Sequence, residues 1–344
     1  MTTKEKILAV LEENKGNWFS GEDLAVRTKV SRAAVWKAVK SLQGEGYEIS
    51  AVTNRGYCLS EKTDILSRAG ILKYLEKYSP DDRFYDLQVV PVTGSTNTDV
   101  KAAAAKGGKE GYAVIAAEQT NGAGRRGRSF YSPAGTGVYI SILLRPEDCP
   151  AEDAVRITTI AAVAACKAIE DVTGPEGEER GTGEAPGIKW VNDVYMRGKK
   201  VCGILTQGSF DMESSLLDYA VMGIGFNIYE PEGGFPEEIA GIAGAVFTEK
   251  TEDVKNRLCA AFLYRFEEQY AHLRSRAYAE EYRARNIVTG KKIRVLKGSE
   301  YQAGPGAGRD AEAVAIDDDC RLKVRYEDGT EEWLSSGEIS IRLG

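Results

Sequence analysis

Along the first sixty residues apolar side chains return every three or four positions. Ile7, Leu8 and Leu11 make the first such stripe, which stops at Asn14-Lys15-Gly16-Asn17, and a helix is predicted there. Ser20-Gly21-Glu22-Asp23 opens a second, short helix, with Ser20 as N-cap and Asp23 offering part of a capping box. Ser31 caps a third, in which Val35, Val39 and Leu42 form the buried stripe and Arg32, Trp36, Lys37 and Lys40 face outward. After Gly44-Glu45-Gly46 the pattern changes: Tyr47 to Val52, the turn Thr53-Asn54-Arg55-Gly56 and Tyr57-Cys58-Leu59 read as a two-stranded hairpin. Three helices and a hairpin make a winged helix-turn-helix.

Ser60 to Asp64 is polar and reads as a linker. A helix with Ile71, Leu72, Leu75 and Tyr78 follows, then a strand, Leu87 to Val92, that runs through Thr93-Gly94-Ser95-Thr96-Asn97 into a helix ending at Lys106. Tyr112 to Ala117 and Val138 to Leu144 are strand-like, and an Ala-rich helix from Asp153 to Val172 supplies cover for a sheet. Thr173 to Gly187, rich in Gly, Glu and Pro, predicts a mobile surface loop. Ile188 to Tyr195 and Val201 to Thr206 form a hairpin about the turn Arg197 to Lys200, and Tyr219 to Met222 ends in Gly223-Ile224-Gly225-Phe226-Asn227. An amphipathic helix beyond Asn256 carries Leu258, Phe262, Phe266, Tyr270 and Leu273. From Val288 to Gly344 short strands alternate with Gly- and Asp-rich turns, which predicts a small barrel.

Composition narrows the chemistry. The chain has 344 residues, 42% of them hydrophobic, enough for two or three domains with ordinary cores. No apolar stretch reaches membrane-spanning length and the polar start is no signal peptide, so a cytoplasmic protein without membrane contact is expected. Six cysteines are scattered without a C-x-x-C pair, which suits reduced, buried thiols and argues against zinc. With a single histidine, His272, chemistry must rest on Lys, Arg, Asp, amides and a bound ion. Net charge is −7, yet residues 1 to 60 carry nine Lys/Arg against seven Asp/Glu, a surplus of two. That asymmetry places nucleic-acid contact in the N-terminal segment. There Arg32, Trp36, Lys37 and Lys40 are base or phosphate candidates and Arg55 a wing contact; a winged helix serving protein contacts alone is the alternative.

The richest segment runs from Gln119 to Pro133, where Gly122, Gly124 and Gly127 interleave with Arg125, Arg126 and Arg128 at a strand exit. Bare amides beside guanidinium forks read as an anion cradle. Its spacing satisfies G-x-G-x-x-G and, with Arg128 for lysine, a P-loop. Both motifs require a helix directly afterwards, and a strand follows instead. Lys189, beside Trp190 in an apolar strand, calls for an anionic partner, either a ligand or a cross-strand carboxylate. Ser95 and Thr96 either orient a polar ligand or cap the helix that starts there.

Four segments together resemble the biotin protein ligases that carry an N-terminal DNA-binding domain and act as biotin-operon repressors. They are Gly94-Ser95-Thr96-Asn97, the Arg-Gly loop from Gln119 through Phe130 to Pro133, Lys189-Trp190-Val191-Asn192-Asp193 with Lys199-Lys200, and Gly223 to Asn227. The resemblance implies an α+β protein. Its parts would be a winged helix-turn-helix (1–62), a mixed-sheet catalytic domain like the class II aminoacyl-tRNA synthetases (66–285) and an SH3-like C-terminal barrel (288–344). It implies ATP-dependent formation of biotinyl-5′-adenylate and transfer of biotin to a lysine of a biotin carboxyl carrier protein. Operator DNA and homodimerisation with bound adenylate are also implied.

By that resemblance Ser95, Thr96, Asn97, Gln119, Gly122, Ala123, Gly124 and Gly203 would contact biotin. Arg125 would guard the adenylate, Arg128 would meet the ATP phosphates, and Lys189 would sit between carboxyl and α-phosphate. Lys200 matches a second functional lysine, and Phe130, Asn192, Gly225 and Asn227 the ATP side. Mg²⁺ would accompany the triphosphate, with Asp193 as a candidate ligand. Ala123 stands where many members have Arg, and Val191 where the lysine segment usually has Pro. A sensor without catalysis and a lipoate-type ligase are the other readings. A loop so rich in glycine is expected to be open or disordered until a ligand orders it.

Overall fold

Each N-terminal helix begins where a side chain satisfies its first amides. Thr2 and Glu5 form a reciprocal capping box on α1 (Thr3–Glu13), Ser20 and Asp23 do so on α2 (Gly21–Thr28), and Ser31 accepts from Ala34 N at the start of α3 (Arg32–Gly44). The hairpin β1 (Ile49–Val52) and β2 (Gly56–Leu59) completes the winged helix, whose core holds Ile7, Leu11, Leu24, Val35, Leu42 and Leu59 without exposure. The computed structural model describes residues 1–79, 84–178, 185–297, 307–335 and 338–341.

The segment expected to be a linker is a strap. Asp64 accepts from Lys255 N (2.9 Å) and from the Tyr229 hydroxyl (2.8 Å), while Ile65 and Ala69 pack on the winged-helix core. Beside it, the Lys15 side chain is only 6% exposed, 3.1 Å from Glu12 Oε2 and 2.9 Å from Asp253 Oδ2. Fully buried Asn256 bridges Asp253, Ile65 and Ser67. Burial pushes the Glu12 carboxyl above its ordinary range, against the pull of Lys15.

After α4 (Arg68–Tyr78) comes a seven-stranded mixed sheet in the order β3-β4-β5-β9-β8-β7-β6. Its strands are β3 (Asp86–Thr93), β4 (Tyr112–Gln119), β5 (Gly137–Leu144), β6 (Gly187–Lys189), β7 (Asp193–Met196), β8 (Lys199–Phe210) and β9 (Leu217–Asn227). Only β3 and β4 run parallel. Alternation along the strands divides the two faces. Ile140, Ile142, Ile204, Met222 and Ile224 join the main core, where α6 (Ala154–Glu178) and α8 (Val254–Tyr270) cover one face. Val114, Leu143 and Val221 pack with Val100 and Ala104 of α5 (Thr96–Ala105) on the other.

Several expectations change. The strand drawn through Ile188–Tyr195 is two strands, because the chain reverses at Trp190-Val191-Asn192 and Lys189 pairs with Asp193. Helix α6 continues into the expected loop as far as Glu178, with Gly174 outside helical geometry; residues 179–184 of that loop lie outside the described residues. Leu273 lies buried beyond the end of α8. Two helices were not foreseen, α7 (Glu237–Ala240) and α9 (Tyr278–Ala284). The C-terminal segment is an antiparallel sheet in the order β13-β12-β11-β10-β14. It comprises β10 (Lys292–Leu296), β11 (Arg309–Ile316), β12 (Leu322–Tyr326), β13 (Glu331–Leu334) and β14 (Glu338–Ile341). Among the described residues β13 and β14 lie at the two ends of that order.

Candidate active site

Three glycines carve the site into the α5 face of the sheet. Gly203 on β8 lies directly opposite Gly225 on β9, with Gly223 two residues earlier on the same face. The Phe130 ring lies on the paired glycines: a Cβ at Gly203 would come 2.8 Å from Phe130 Cε2, and one at Gly225 2.5 Å from Cε1. At Gly223 a Cβ would meet Asn97 Oδ1 at 1.9 Å. Any larger residue would fill the floor.

One wall is neutral. The start of α5 delivers Ser95, Thr96 and Asn97, all buried, and the Ser95 side chain does not cap the helix. Gln119 caps it instead, its Oε1 accepting from Thr96 N at 2.9 Å while its Nε2 donates to Ser132 Oγ at 3.2 Å. Buried Ser141 on β5 donates to Asn97 Oδ1 (2.6 Å), and Asn97 Nδ2 donates to Gln207 Oε1 (3.1 Å). These bonds orient the Gln119 and Asn97 carboxamides, each of which donates through its nitrogen and accepts through its oxygen.

The opposite wall is charged. The Arg-Gly loop folds back on itself through Gly124 N to Arg128 O (2.7 Å) and Phe130 N to Gly122 O (2.8 Å), with Arg126 and Gly127 at positive φ. The loop is ordered, and Arg125 Nη1 donates to Asn192 Oδ1 at 2.8 Å. Asn192 is itself held by its Nδ2 donating to Ile204 O (2.9 Å). Lys200 pairs with Asp193 at 2.7 Å, and Lys189 lies 5.5 Å from the centre of the Tyr195 ring. Burial lifts the Tyr195 hydroxyl far above its usual range, helped by the Asp193 charge, so Tyr195 stays neutral beneath the lysine.

Two adjoining cavities result, of about 50 Å³ on the neutral side and about 150 Å³ on the charged side. Gly124, Arg125, Phe130, Asn192 and Lys200 line both.

The chain is similar to known proteins in sequence and in fold. The Biotin/lipoate A/B protein ligase family matches residues 89–227, the HTH domain family residues 3–58 and the Biotin protein ligase C terminal domain residues 308–342. The chain is 31% identical over 351 residues to the Bifunctional ligase/repressor BirA of Bacillus subtilis (strain 168), covering 100% of this chain and 99% of that one. It belongs to the bifunctional ligase/repressor family. A Biotin--[acetyl-CoA-carboxylase] ligase of Mycobacterium tuberculosis is also 31% identical, over 69% of this chain and 82% of its own length. In fold, the chain is similar to the biotin protein ligase from Aquifex aeolicus in complex with biotin and ATP. That match has a TM-score of 0.58 at 24% identity, over 75% of this chain and 99% of that one.

Within this bifunctional ligase/repressor frame the anticipated residues fall into three groups. Ser95, Thr96, Asn97, Gln119, Ala123, Gly203 and Gly225 line the neutral cavity, and Arg128 and Lys189 the charged one. Gly122 and Asn227 line neither: Gly122 lies beneath the loop against Ser132, and Asn227, at the far end of β9, donates to Gly244 O at 3.1 Å. Arg32, Trp36, Lys37 and Lys40 are exposed on α3, and Arg55 on the hairpin turn stacks 4.3 Å over the Trp18 ring. Ser141, Gln207, Ile204 and Leu205 were not anticipated. Alternation along β8 and β5 is the signal that could have found Ser141, Leu205 and Gln207, since Leu205 and Gln207 share Gly203's face, whereas Ile204 joins the core on the other.

Proposed function

We propose that this ligase/repressor condenses biotin with ATP to biotinyl-5′-adenylate and passes the biotinyl group to a lysine of a biotin carboxyl carrier protein. The adjacency of the neutral and charged cavities, which share five lining residues, carries the reading. A neutral ureido ring suits fixed hydroxyls and carboxamides, whereas a carboxylate attacking a triphosphate brings two anions together. Cations placed where charge gathers lower that barrier without a covalent enzyme intermediate. Lys189 is assigned to the meeting point of carboxylate and α-phosphate, and Arg128 to the outgoing phosphates. Lys200, steadied by Asp193, borders both cavities, and Phe130 and Asn192 with Gly225 face the nucleotide. The resulting mixed anhydride would be exposed to water, and the Arg125–Asn192 contact holds the loop over it.

Among the described residues no group of three His, Cys, Asp or Glu side chains could cage a metal ion. The reading therefore has Mg²⁺ arrive on the triphosphate oxygens as part of the substrate, with Asp193 the adjacent carboxylate.

The winged helix is assigned to operator DNA, through Arg32, Trp36, Lys37 and Lys40 with Arg55 at the wing. A surplus of two positive charges is weak for a lone reader, which favours two chains on two half-sites once adenylate is bound. The order of the sheet leaves β3 without an outer strand partner among the described residues, an edge that a second copy could use. No helix among the described residues is long and apolar enough to cross a membrane, in keeping with a cytoplasmic site of action.

Pyrophosphate release from ATP with biotin, followed by biotinylation of an isolated carrier domain, tests the enzymatic half. Release with lipoate instead would move the substrate class, and folded protein that binds biotin without releasing pyrophosphate would leave only a sensor.

A further inference from the structure

The lysine turn sits at the edge of the sheet. Strand β6 ends the order, so residues 189–192 have in-sheet neighbours on one side only. On the outer side, hydrogen bonds come from residues beyond 281. Ile188 N donates to Arg285 O (2.8 Å) and Ile287 N to Ile188 O (2.9 Å), a short bridge along the outer edge of β6. The Tyr282 hydroxyl of α9, fully buried, donates to Val191 O at 3.1 Å. The Trp190 indole, 3% exposed, donates to Cys320 O at 2.8 Å, and Cys320 belongs to the turn joining β11 and β12 of the C-terminal sheet.

That turn is itself braced. Asp317 Oδ1 accepts from Asp319 N and Arg321 N, and Cys320 stands at positive φ. Arg156 at the start of α6 and Arg276 before α9 both reach Asp319, at 3.1 and 3.0 Å. A carbonyl so fixed defines the position of the indole donating to it, and Trp190 adjoins Lys189 in the chain.

We propose that Trp190 is a positioning residue, through which the C-terminal sheet sets the attitude of Lys189. It rests on the assignment of Lys189 to adenylate formation. Burying an indole N–H requires a partner in any case, so a purely structural bond would show the same geometry. The two roles differ in their dependence on Lys189.

The test uses the full chain with biotin and ATP, measuring pyrophosphate release per folded molecule and the melting temperature. Wild-type activity comes first: without it the enzymatic reading fails, and the proposal with it. Given activity, Trp190→Phe keeps the ring and removes the donor. The expected result is a kcat about tenfold lower with the KM for biotin within about twofold of wild type, and a similar though smaller change for Tyr282→Phe. In a Lys189→Ala background Trp190→Phe should have no further effect on single-turnover rate, since the group it positions is gone. Equal losses in both backgrounds, or an unchanged kcat with only a lower melting temperature, would overturn the proposal.

Discussion

The two walls of the site are built by opposite rules. The neutral wall gathers Ser95, Thr96, Asn97, Gln119, Ser141 and Gln207 from a helix start and three strands, and side-chain bonds link Thr96 to Gln119 and Ser141, and Asn97 to Ser141 and Gln207. The charged wall gathers Arg125, Arg128, Lys189 and Lys200 from one loop and strands β6 and β8, with Arg125 held by Asn192 and Lys200 by Asp193. A rigid neutral network discriminates by leaving buried groups unpaired when the wrong molecule enters. A charged wall with a closing loop instead lowers the energy of charge as it develops. On this view recognition belongs to one wall and rate to the other.

The comparison can be broken most directly at Lys189. Lys189→Ala should cut adenylate formation by at least about two orders of magnitude, the scale of a lost charge-stabilising group, with biotin affinity little changed. Near-normal turnover would place the rate elsewhere. Gly223→Ala should do the reverse, because its methyl would displace Asn97 and unpair the Ser141 and Gln207 bonds. A weakening of biotin binding by roughly tenfold to a hundredfold, read by calorimetry, matches about 1–3 kcal/mol for a disrupted buried network; unchanged affinity would mean the neutral wall does not recognise biotin. Asn192→Ala removes the acceptor that closes the loop, so adenylate should escape about tenfold faster and acylate nearby lysines, the range of one bond to a charged donor. Equal retention of adenylate would show that the Arg125 contact is not a latch. Smallest of all, Gln207→Ala should raise the KM for biotin by a few-fold, as loss of one buried bond does, and should leave pyrophosphate release at saturation alone.

The charged wall was legible in the chain because its residues lie close together in sequence. Arg125, Arg128 and Phe130 share one loop, Lys189 and Lys200 lie on either side of β7, and cations beside glycines announce themselves. The neutral wall was half legible. Ser95 and Gln119 stand at a strand exit or helix start, but Ser141 sits in an otherwise apolar strand, and only its pairing opposite Gly223 reveals that it faces Asn97. Capping residues placed the first three helices well, whereas seven-residue α9 lacks a side-chain cap and exists through the burial of Tyr278 and Tyr282. Asp64 looked like linker because its partners, Tyr229 and Lys255, are far along the chain. The reversal at Trp190 was hidden because Trp190 and Val191 favour strands, and Asn192-Asp193, which favour turns, were placed at the strand's exit instead of within a reversal.

The sealed lysine between the winged helix and the catalytic region bears on how DNA is measured. Swinging the reading head would carry Lys15 and Glu12 away together, part Lys15 from Asp253 and open a buried seam, a cost that a free tether does not carry. Two copies seated side by side would therefore present their recognition helices like the jaws of a fixed-gap caliper. Operator spacing would be dictated by protein shape rather than by tether reach, and inserting half a helical turn between half-sites would abolish paired occupancy instead of merely weakening it.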